Sequence, residues 1–433
     1  MAENRPNTGN SGGKNPKKLR VLLRTFGCQM NVRDSEVIAG ILMQAGFELV
    51  GSADEADVVV FNTCAVREHA EEKVWSEIGR VCKARRNKER VARGLTGNAR
   101  ELRKSVPGPI GRKPVIGLVG CMGRNYGAGA FERSPLVDFV AGPQDISKIP
   151  EILKRIFHSR QSALYGKGED EANLFERKIW EIDGDVRPEE IYHSGFRSGK
   201  TQAYIVISEG CSNHCSYCIV PYVRGPLRHR RREDILREVG DAVSRGLSEI
   251  FLLGQNVNSY RSGDKGDFVD LLEEAHAIDG VKEITFISSH PRDSGTRLFK
   301  AVGGLERVRK WLHLPFQSGS DRVLKAMNRG YNSKYYLELA REYRRIVPGG
   351  ELSTDVIVGF PGETEEDFQA TCRMLEEVRF NTAYIFKYSP RPHSRAAEME
   401  DDVPRREKER RHKLALELQK RISLSGKQRR KAK

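Results

Sequence analysis

The chain has 433 residues, of which 38% are hydrophobic and 31% charged, and its net charge is +15. Such a length carries two or three domains with cores of their own, and no apolar run approaches the ~20 residues that span a bilayer, so the sequence reads as a soluble protein. The basic charge is concentrated: Lys83 to Lys113 holds eleven Lys/Arg against two Glu, and Pro404 to Lys433 thirteen against three. That leaves the body mildly acidic and points to a polyanionic partner such as nucleic acid, or to solubilising surface.

Residues 1–19 are rich in Asn, Gly and Lys and lack the apolar core of a secretory signal, so a disordered tail on a cytoplasmic protein is expected. In a reducing compartment the eight cysteines read as metal or redox ligands rather than disulfides. Three apolar runs then each end on a cysteine: RVLLRTFGC at Cys28, DVVVFNTC at Cys64 and VIGLVGC at Cys121. Helical patterns follow the first two, and this alternation predicts an α/β domain with a parallel sheet over residues 20–150. Ligands of such sheets sit at the carboxyl ends of the strands, so three cysteines at three strand ends can converge on one metal site. Cys82 and Cys372 fall in helical segments and read as non-ligands.

Residues 151–200 lose periodicity and are read as a connection. Six strands follow at QAYIVIS, EIFLLG, EITFISS, WLHLP, LSTDVIVGF and AYIFKYS, with helical patterns between them. Six β/α units predict a partial barrel over 201–400, with its site at the carboxyl ends of the strands. Cys211, Cys215 and Cys218 follow the first of these strands, Gln255 and Asn256 the second, His290 the third, Gln317 and Ser318 the fourth and Glu363 the fifth. The polar residues either touch a ligand or cap strands and helices; the GFPGE stretch likewise suits a ligand contact or a tight turn. RGPLRHRRRE is read as meeting RNA phosphates, against the alternative of a solvated helix entry. Residues 401–433 read as a basic helical tail.

The triplet C-x3-C-x2-C lacks a fourth thiol nearby. A 4Fe-4S cluster on three thiolates leaves one iron open to a small molecule, whereas zinc would need His214 or His229 as a further ligand. No Ser/His/Asp constellation supports a hydrolytic reading.

This triplet, with Tyr217 before its last cysteine, resembles the radical S-adenosylmethionine superfamily. Together with TFGCQMNVRDSE, NTCAVREHAEEKV, VGCM, AGPQDISKIPEIL, LLGQNVNSY, HLPFQSGSDRVLKAMNRGY, STDVIVGFPGETEEDF and YSPRPHSRAA, the chain is similar to the methylthiotransferases, and its GCQMN and VRE wording to their MiaB-type branch. The resemblance covers about residues 20 to 410. It implies an N-terminal methylthiotransferase domain and a partial (β/α)6 radical-SAM barrel. It also implies two 4Fe-4S clusters, an auxiliary one on Cys28, Cys64 and Cys121 and a radical one on Cys211, Cys215 and Cys218. S-adenosylmethionine would contact Tyr217, Gln255, Asn256, Gln317 and Ser318. The implied activity is methylthio insertion at carbon two of N6-dimethylallyladenosine at tRNA position 37, in a monomer served by a reductant such as flavodoxin or ferredoxin. An unactivated aromatic C–H bond has no acidic proton for a base to remove, which is why a radical is needed. Two alternatives stay open. One is methylthiolation of threonylcarbamoyladenosine in tRNA or of a ribosomal-protein aspartate, and the other is a non-catalytic iron-sulfur RNA-binding protein. Family members carry a C-terminal TRAM β-barrel; no strand pattern follows residue 400 here, so that domain is expected to be absent, either because the chain is shortened or with the basic tail and the Lys83 to Lys113 segment supplying the phosphate contacts instead.

Overall fold

The computed structural model describes residues 18–65, 71–83, 114–165, 178–184, 186–263 and 266–431. The middle basic segment, 84–113, lies outside them.

The N-terminal half is built on one parallel sheet of six strands. In spatial order these are β2 (Glu48–Leu49), β1 (Arg20–Phe26), β3 (Val58–Thr63), β4 (Val115–Gly120), β5 (Phe139–Ala141) and β6 (Ile179–Glu181). β3 and β4 are buried along their whole length, as expected of central parallel strands covered on both faces. Alternate residues serve the two faces. Val58, Val60, Val115 and Val119 pack with Val37, Ile38 and Leu42 of the Gln29–Gln44 helix and Ile152 and Leu153 of the Ile149–Tyr165 helix. Val59, Phe61, Ile116 and Leu118 pack with Val74, Ile78 and Cys82 of the helix at 71–83. The stretch 151–200 therefore does more than connect. Its helix covers one face of the sheet, and β6 is the sheet's sixth strand. A three-residue edge strand is too short to show a period in sequence.

The second half is an open arc of six parallel strands. β7 (Gln202–Val206), β10 (Glu249–Leu253) and β11 (Glu283–Phe286) form one sheet, and β12 (Trp311–His313), β13 (Glu351–Val358) and β14 (Thr382–Lys387) another. A parallel bridge from Ile284 to Val308 joins the two. Ile205, Ile250, Leu252, Ile284, Leu312 and Val356 face outward into a layer of helices, meeting Val239, Leu272, Phe299, Tyr336 and Phe368. This is the partial barrel expected from the six β/α units.

The Arg405–Lys431 helix, basic along much of its surface, seals the open side. Its Ala415, Leu418 and Ile422 join the barrel core, His412 bonds the Ile385 carbonyl at 3.0 Å, and Gln419 donates to the Phe380 carbonyl at 2.9 Å. It covers β14 and so removes an exposed sheet edge. Among the described residues no β-barrel follows residue 400, and no helix is long and apolar enough to cross a membrane.

Candidate functional site

Phe26, Thr63 and Gly120 lie side by side in register on the adjacent strands β1, β3 and β4. Cys64 and Cys121 are the next residues on their strands, and Cys28 follows Phe26 by two. The sheet thus delivers three thiols to one edge from positions far apart in sequence. Gly120 makes the turn: its φ of +86° suits glycine, and a Cβ there would meet Asn62 Oδ1 at 2.5 Å. The asparagines of GCQMN and NTC lock the cysteine loops together. Asn31 Nδ2 donates to Asn62 Oδ1 at 3.3 Å and to the Thr63 carbonyl at 3.2 Å, and Asn62 Nδ2 donates to the Asn31 carbonyl at 2.8 Å.

The three thiols differ electrostatically. A hydrogen bond from Cys64 pulls the Cys28 thiol down to about 6, helped against burial by the positive Arg224 and two backbone N–H groups. Burial pushes Cys121 up, although Arg224 Nε donates to its sulfur at 3.2 Å. A depressed thiol is a ready metal ligand.

The second triplet lies in a loop closed at its base by the antiparallel pair β8 (Ser208–Glu209) and β9 (Arg228–His229). Gly210, with φ +72°, opens the loop where a Cβ would strike the Pro226 carbonyl at 2.1 Å. The loop is stapled to the far side of the barrel. Ser216 donates through N to the Met327 carbonyl at 3.0 Å and through Oγ to the Ala326 carbonyl at 2.8 Å, and Asn328 donates to the His214 carbonyl at 3.0 Å. Cys211, Cys215 and Cys218 are half-buried. Burial raises Cys211, and raises Cys218 to about 12, with the neighbouring Cys215 adding to both. Among the described residues no three His, Cys, Asp or Glu side chains are gathered tightly enough for one ion; a cubane cluster, by contrast, takes each thiolate on a separate iron. His214 is exposed, and His229 packs edge-on against Tyr260 at 5.3 Å.

Arg329, from MNRGY, faces this triplet. It donates to the Cys215 sulfur at 3.2 Å, to the Tyr217 hydroxyl at 3.3 Å, to the Tyr331 hydroxyl at 3.0 Å and to the Pro315 carbonyl at 2.9 Å. A buried cation with thiol and phenol neighbours suits an anionic cluster.

Around the mouth, Ser208 Oγ, Gln255 Oε1, Asn256 Oδ1, Ser289 Oγ, His290 Nε2 and Gln317 Oε1 are buried without a hydrogen-bond partner. Orphaned polar atoms at the carboxyl ends of four successive barrel strands are what a missing polar ligand leaves behind. Asn256 is oriented by the hydrogen bond that its Nδ2 donates to Asp293 at 2.7 Å. Gln317 sits at φ +68°, a strained backbone for a non-glycine residue. Ser318 is different, because its hydroxyl is 3.4 Å from Thr371 Oγ1 and accepts the Ser320 N–H. Glu363 is also committed to the scaffold: it accepts from Gly359 N and from Arg411 of the last helix, both at 2.8 Å.

RGPLRHRRRE does not point outward as a whole. Arg224 and Arg230 are buried, Arg224 pairing with Asp34 at 2.7 Å and Arg230 with Glu238 at 2.6 Å and with Glu189. The RNA-facing reading fails for those two, and of the five arginines in the stretch Arg231 is the exposed one. Sequence reasoning missed Arg224, Arg329 and Asp34 as site residues. Their only signal was that each lies inside a quoted motif.

Residues 205–375 match the radical SAM superfamily, and residues 20–142 match a family described as uncharacterized protein family UPF0004. The tRNA-2-methylthio-N(6)-dimethylallyladenosine synthase of Carboxydothermus hydrogenoformans is 40% identical over 404 residues, 92% of this chain and 83% of that protein. The chain belongs to the tRNA-2-methylthio-N(6)-dimethylallyladenosine synthase family. A further synthase of this name, from Bordetella bronchiseptica, is 40% identical over 398 residues, 90% of this chain and 76% of its own. Among solved structures, the radical S-adenosylmethionine methyltransferase TsrM of Kitasatospora setae covers 88% of this chain and 77% of that one at 13% identity, with a TM-score of 0.53. The cobalamin-dependent radical enzyme OxsB covers 92% of this chain and 56% of that one at 12% identity, with a TM-score of 0.51. These two likenesses are of fold alone.

Proposed function

We propose that the protein is a radical S-adenosylmethionine methylthiotransferase that inserts a methylthio group at carbon two of N6-dimethylallyladenosine at tRNA position 37. The observation that carries this reading is the pairing of two cysteine triads. One stands at the ends of three adjacent parallel strands, and the other in the loop after the first barrel strand. In this reading Cys28, Cys64 and Cys121 hold an auxiliary 4Fe-4S cluster and Cys211, Cys215 and Cys218 the radical cluster. The clusters and S-adenosylmethionine supply the electron, the carbon radical and the transferred sulfur.

The chain's own residues bind and orient. Arg329 sets a positive charge against the second triad, and Tyr217 fixes that guanidinium. Gln255, Asn256, His290 and Gln317 offer unpaired polar atoms to the cofactor at the mouth, while Ser318 holds its loop to the Glu365–Val378 helix. Tyr222, exposed and stacked on His393 at 3.7 Å close after Cys218, offers a platform for a base. Exposed Arg406, Lys413, Lys420 and Arg421 on the last helix offer contacts to tRNA phosphates. The enzyme works as a cytoplasmic monomer reduced by a flavodoxin or ferredoxin.

The test is anaerobic turnover of the reconstituted protein with S-adenosylmethionine, reductant and tRNA carrying N6-dimethylallyladenosine, followed by nucleoside mass analysis. Appearance of the 2-methylthio nucleoside supports the proposal. Turnover only on threonylcarbamoyladenosine, or none with the clusters in place, overturns it.

A further inference from the structure

Arg224 touches both cysteine constellations. It closes the Val220–Arg224 helix, which begins two residues after Cys218. The next residue, Gly225, accepts the Cys211 N–H through its carbonyl at 3.2 Å. Backbone therefore ties Arg224 to two members of the second triad. Its side chain runs the other way, donating through Nε to Cys121 Sγ at 3.2 Å and through Nη2 to Asp34 at 2.7 Å. Asp34 belongs to the helix that Cys28 caps, and it also pairs with Arg187 at 2.6 Å. Gln144, from the AGPQ stretch, donates to the Arg224 carbonyl at 2.9 Å. Around this junction Ala65 and Cys121 pack directly on Ile219 and Val223, so the loops of the two triads share one apolar contact.

Resting on the reading of Cys28, Cys64 and Cys121 as cluster ligands, we infer that Arg224 is a positioning residue common to the two triads. Its N–H···S bond and positive charge raise the reduction potential of the auxiliary cluster, and Asp34 moderates that effect. The physical basis is that hydrogen bonds to cluster sulfurs and the net charge nearby set such potentials. A donor and a cation both favour the reduced, more negative cluster, and a neighbouring carboxylate disfavours it. Arg224 is 3% exposed, so little solvent screens the effect. The same side chain holds the Cys121 edge of the sheet against the helix after Cys218, and thereby fixes the separation between the two reaction centres.

The experiment uses the full chain carrying Cys211→Ala, Cys215→Ala and Cys218→Ala, so that only the first triad remains. Its midpoint potential is followed by EPR during an anaerobic redox titration, with iron counted in parallel. The background should retain about four irons per chain. Arg224→Gln should then move the midpoint to more negative values, Asp34→Asn to more positive values, and Arg224→Lys should fall between Arg224→Gln and the background. Shifts of opposite sign are beyond what general loosening of the fold produces. If Arg224→Gln assembles no cluster, Arg224→Lys and Asp34→Asn decide by the same criterion. Midpoints that coincide with the background, or that move together in one direction, overturn the inference while leaving the ligand assignment intact. A background chain that retains no iron overturns the ligand assignment itself, and the inference with it.

Discussion

Arg329 places its guanidinium 3.2 Å from the sulfur of Cys215, and among the described residues none of its hydrogen-bond partners is a carboxylate. Burial alone would lower its pKa, yet Tyr217, Tyr331 and Cys215 hold it well above the usual guanidinium range, so it is a fixed cation. Its charge therefore remains available to the group that the second triad binds. Replacing it with Met removes a charge-assisted contact of about 1.5–3 kcal/mol. The rate of 5′-deoxyadenosine formation from S-adenosylmethionine should fall about 10- to 100-fold. Arg329→Lys should recover part of the loss by keeping the charge without the planar fork. An undiminished rate in Arg329→Met would remove Arg329 from the site.

Each triad has three thiols of its own on loops of its own, so the two clusters should be lost independently even though Arg224 links the loops. Reconstituted protein should hold about eight irons, and about four after Ala replacement of either Cys28, Cys64 and Cys121 or Cys211, Cys215 and Cys218. Iron and sulfide analysis checks this. Loss confined to the second replacement would leave a one-cluster protein and sink the methylthiotransferase reading.

What the sequence shows of this architecture depends on the range of the interaction. β3 and β4 are legible because central parallel strands need unbroken apolar, largely β-branched runs, and VVVF and VIGLV supply them. Once the strands are placed, the convergence of Cys28, Cys64 and Cys121 follows from register alone. The buried ion network is illegible. Arg33 and Glu238 pair at 3.0 Å from 205 residues apart, and nothing local to either marks it as buried, since arginine is ordinarily a surface residue. The same prior made RGPLRHRRRE look RNA-facing. In the last helix the dense basic charge hid an inward stripe of Ala415, Leu418 and Ile422, at helical spacing but only three residues long.

His290 should act as a neutral hydrogen-bond donor. Burial, with Arg329 and Arg292 nearby, lowers its pKa from 6.5 to about 2. Its Nδ1 accepts the Arg292 N–H at 3.3 Å, which puts the ring proton on Nε2, the atom left without a partner at the mouth. His290→Leu should weaken S-adenosylmethionine binding by about 3- to 10-fold, the worth of one neutral hydrogen bond of about 0.5–1.5 kcal/mol. That ratio should stay constant between about pH 6 and about pH 8, because the ring does not titrate there. A ratio that changes through this range would show a titrating imidazole and contradict the assignment. Equilibrium binding of the cofactor to both proteins across the range is the measurement.

Glu238 anchors the junction between the two halves, accepting from Arg33 at 3.0 Å, Arg197 at 2.5 Å and Arg230 at 2.6 Å. Burial alone would raise its pKa, but Arg230, Arg33 and Arg197 outweigh it and hold the carboxyl below its usual 4.5. A depressed carboxylate contributes stability that is fully present above the unfolded value and is lost as pH falls through the folded one. Glu238→Gln leaves three buried or nearly buried guanidinium groups short of a counter-charge, and should destabilise the metal-free protein by about 3–5 kcal/mol near pH 7. Below about pH 4.5 the unfolded parent takes up a proton that the folded protein still excludes, so the gap between the two proteins should narrow. Denaturant unfolding of both, from about pH 7 down to about pH 3, checks the magnitude and the sign. A gap that stays constant over that range would show that the ion network does not owe its strength to the charge on Glu238.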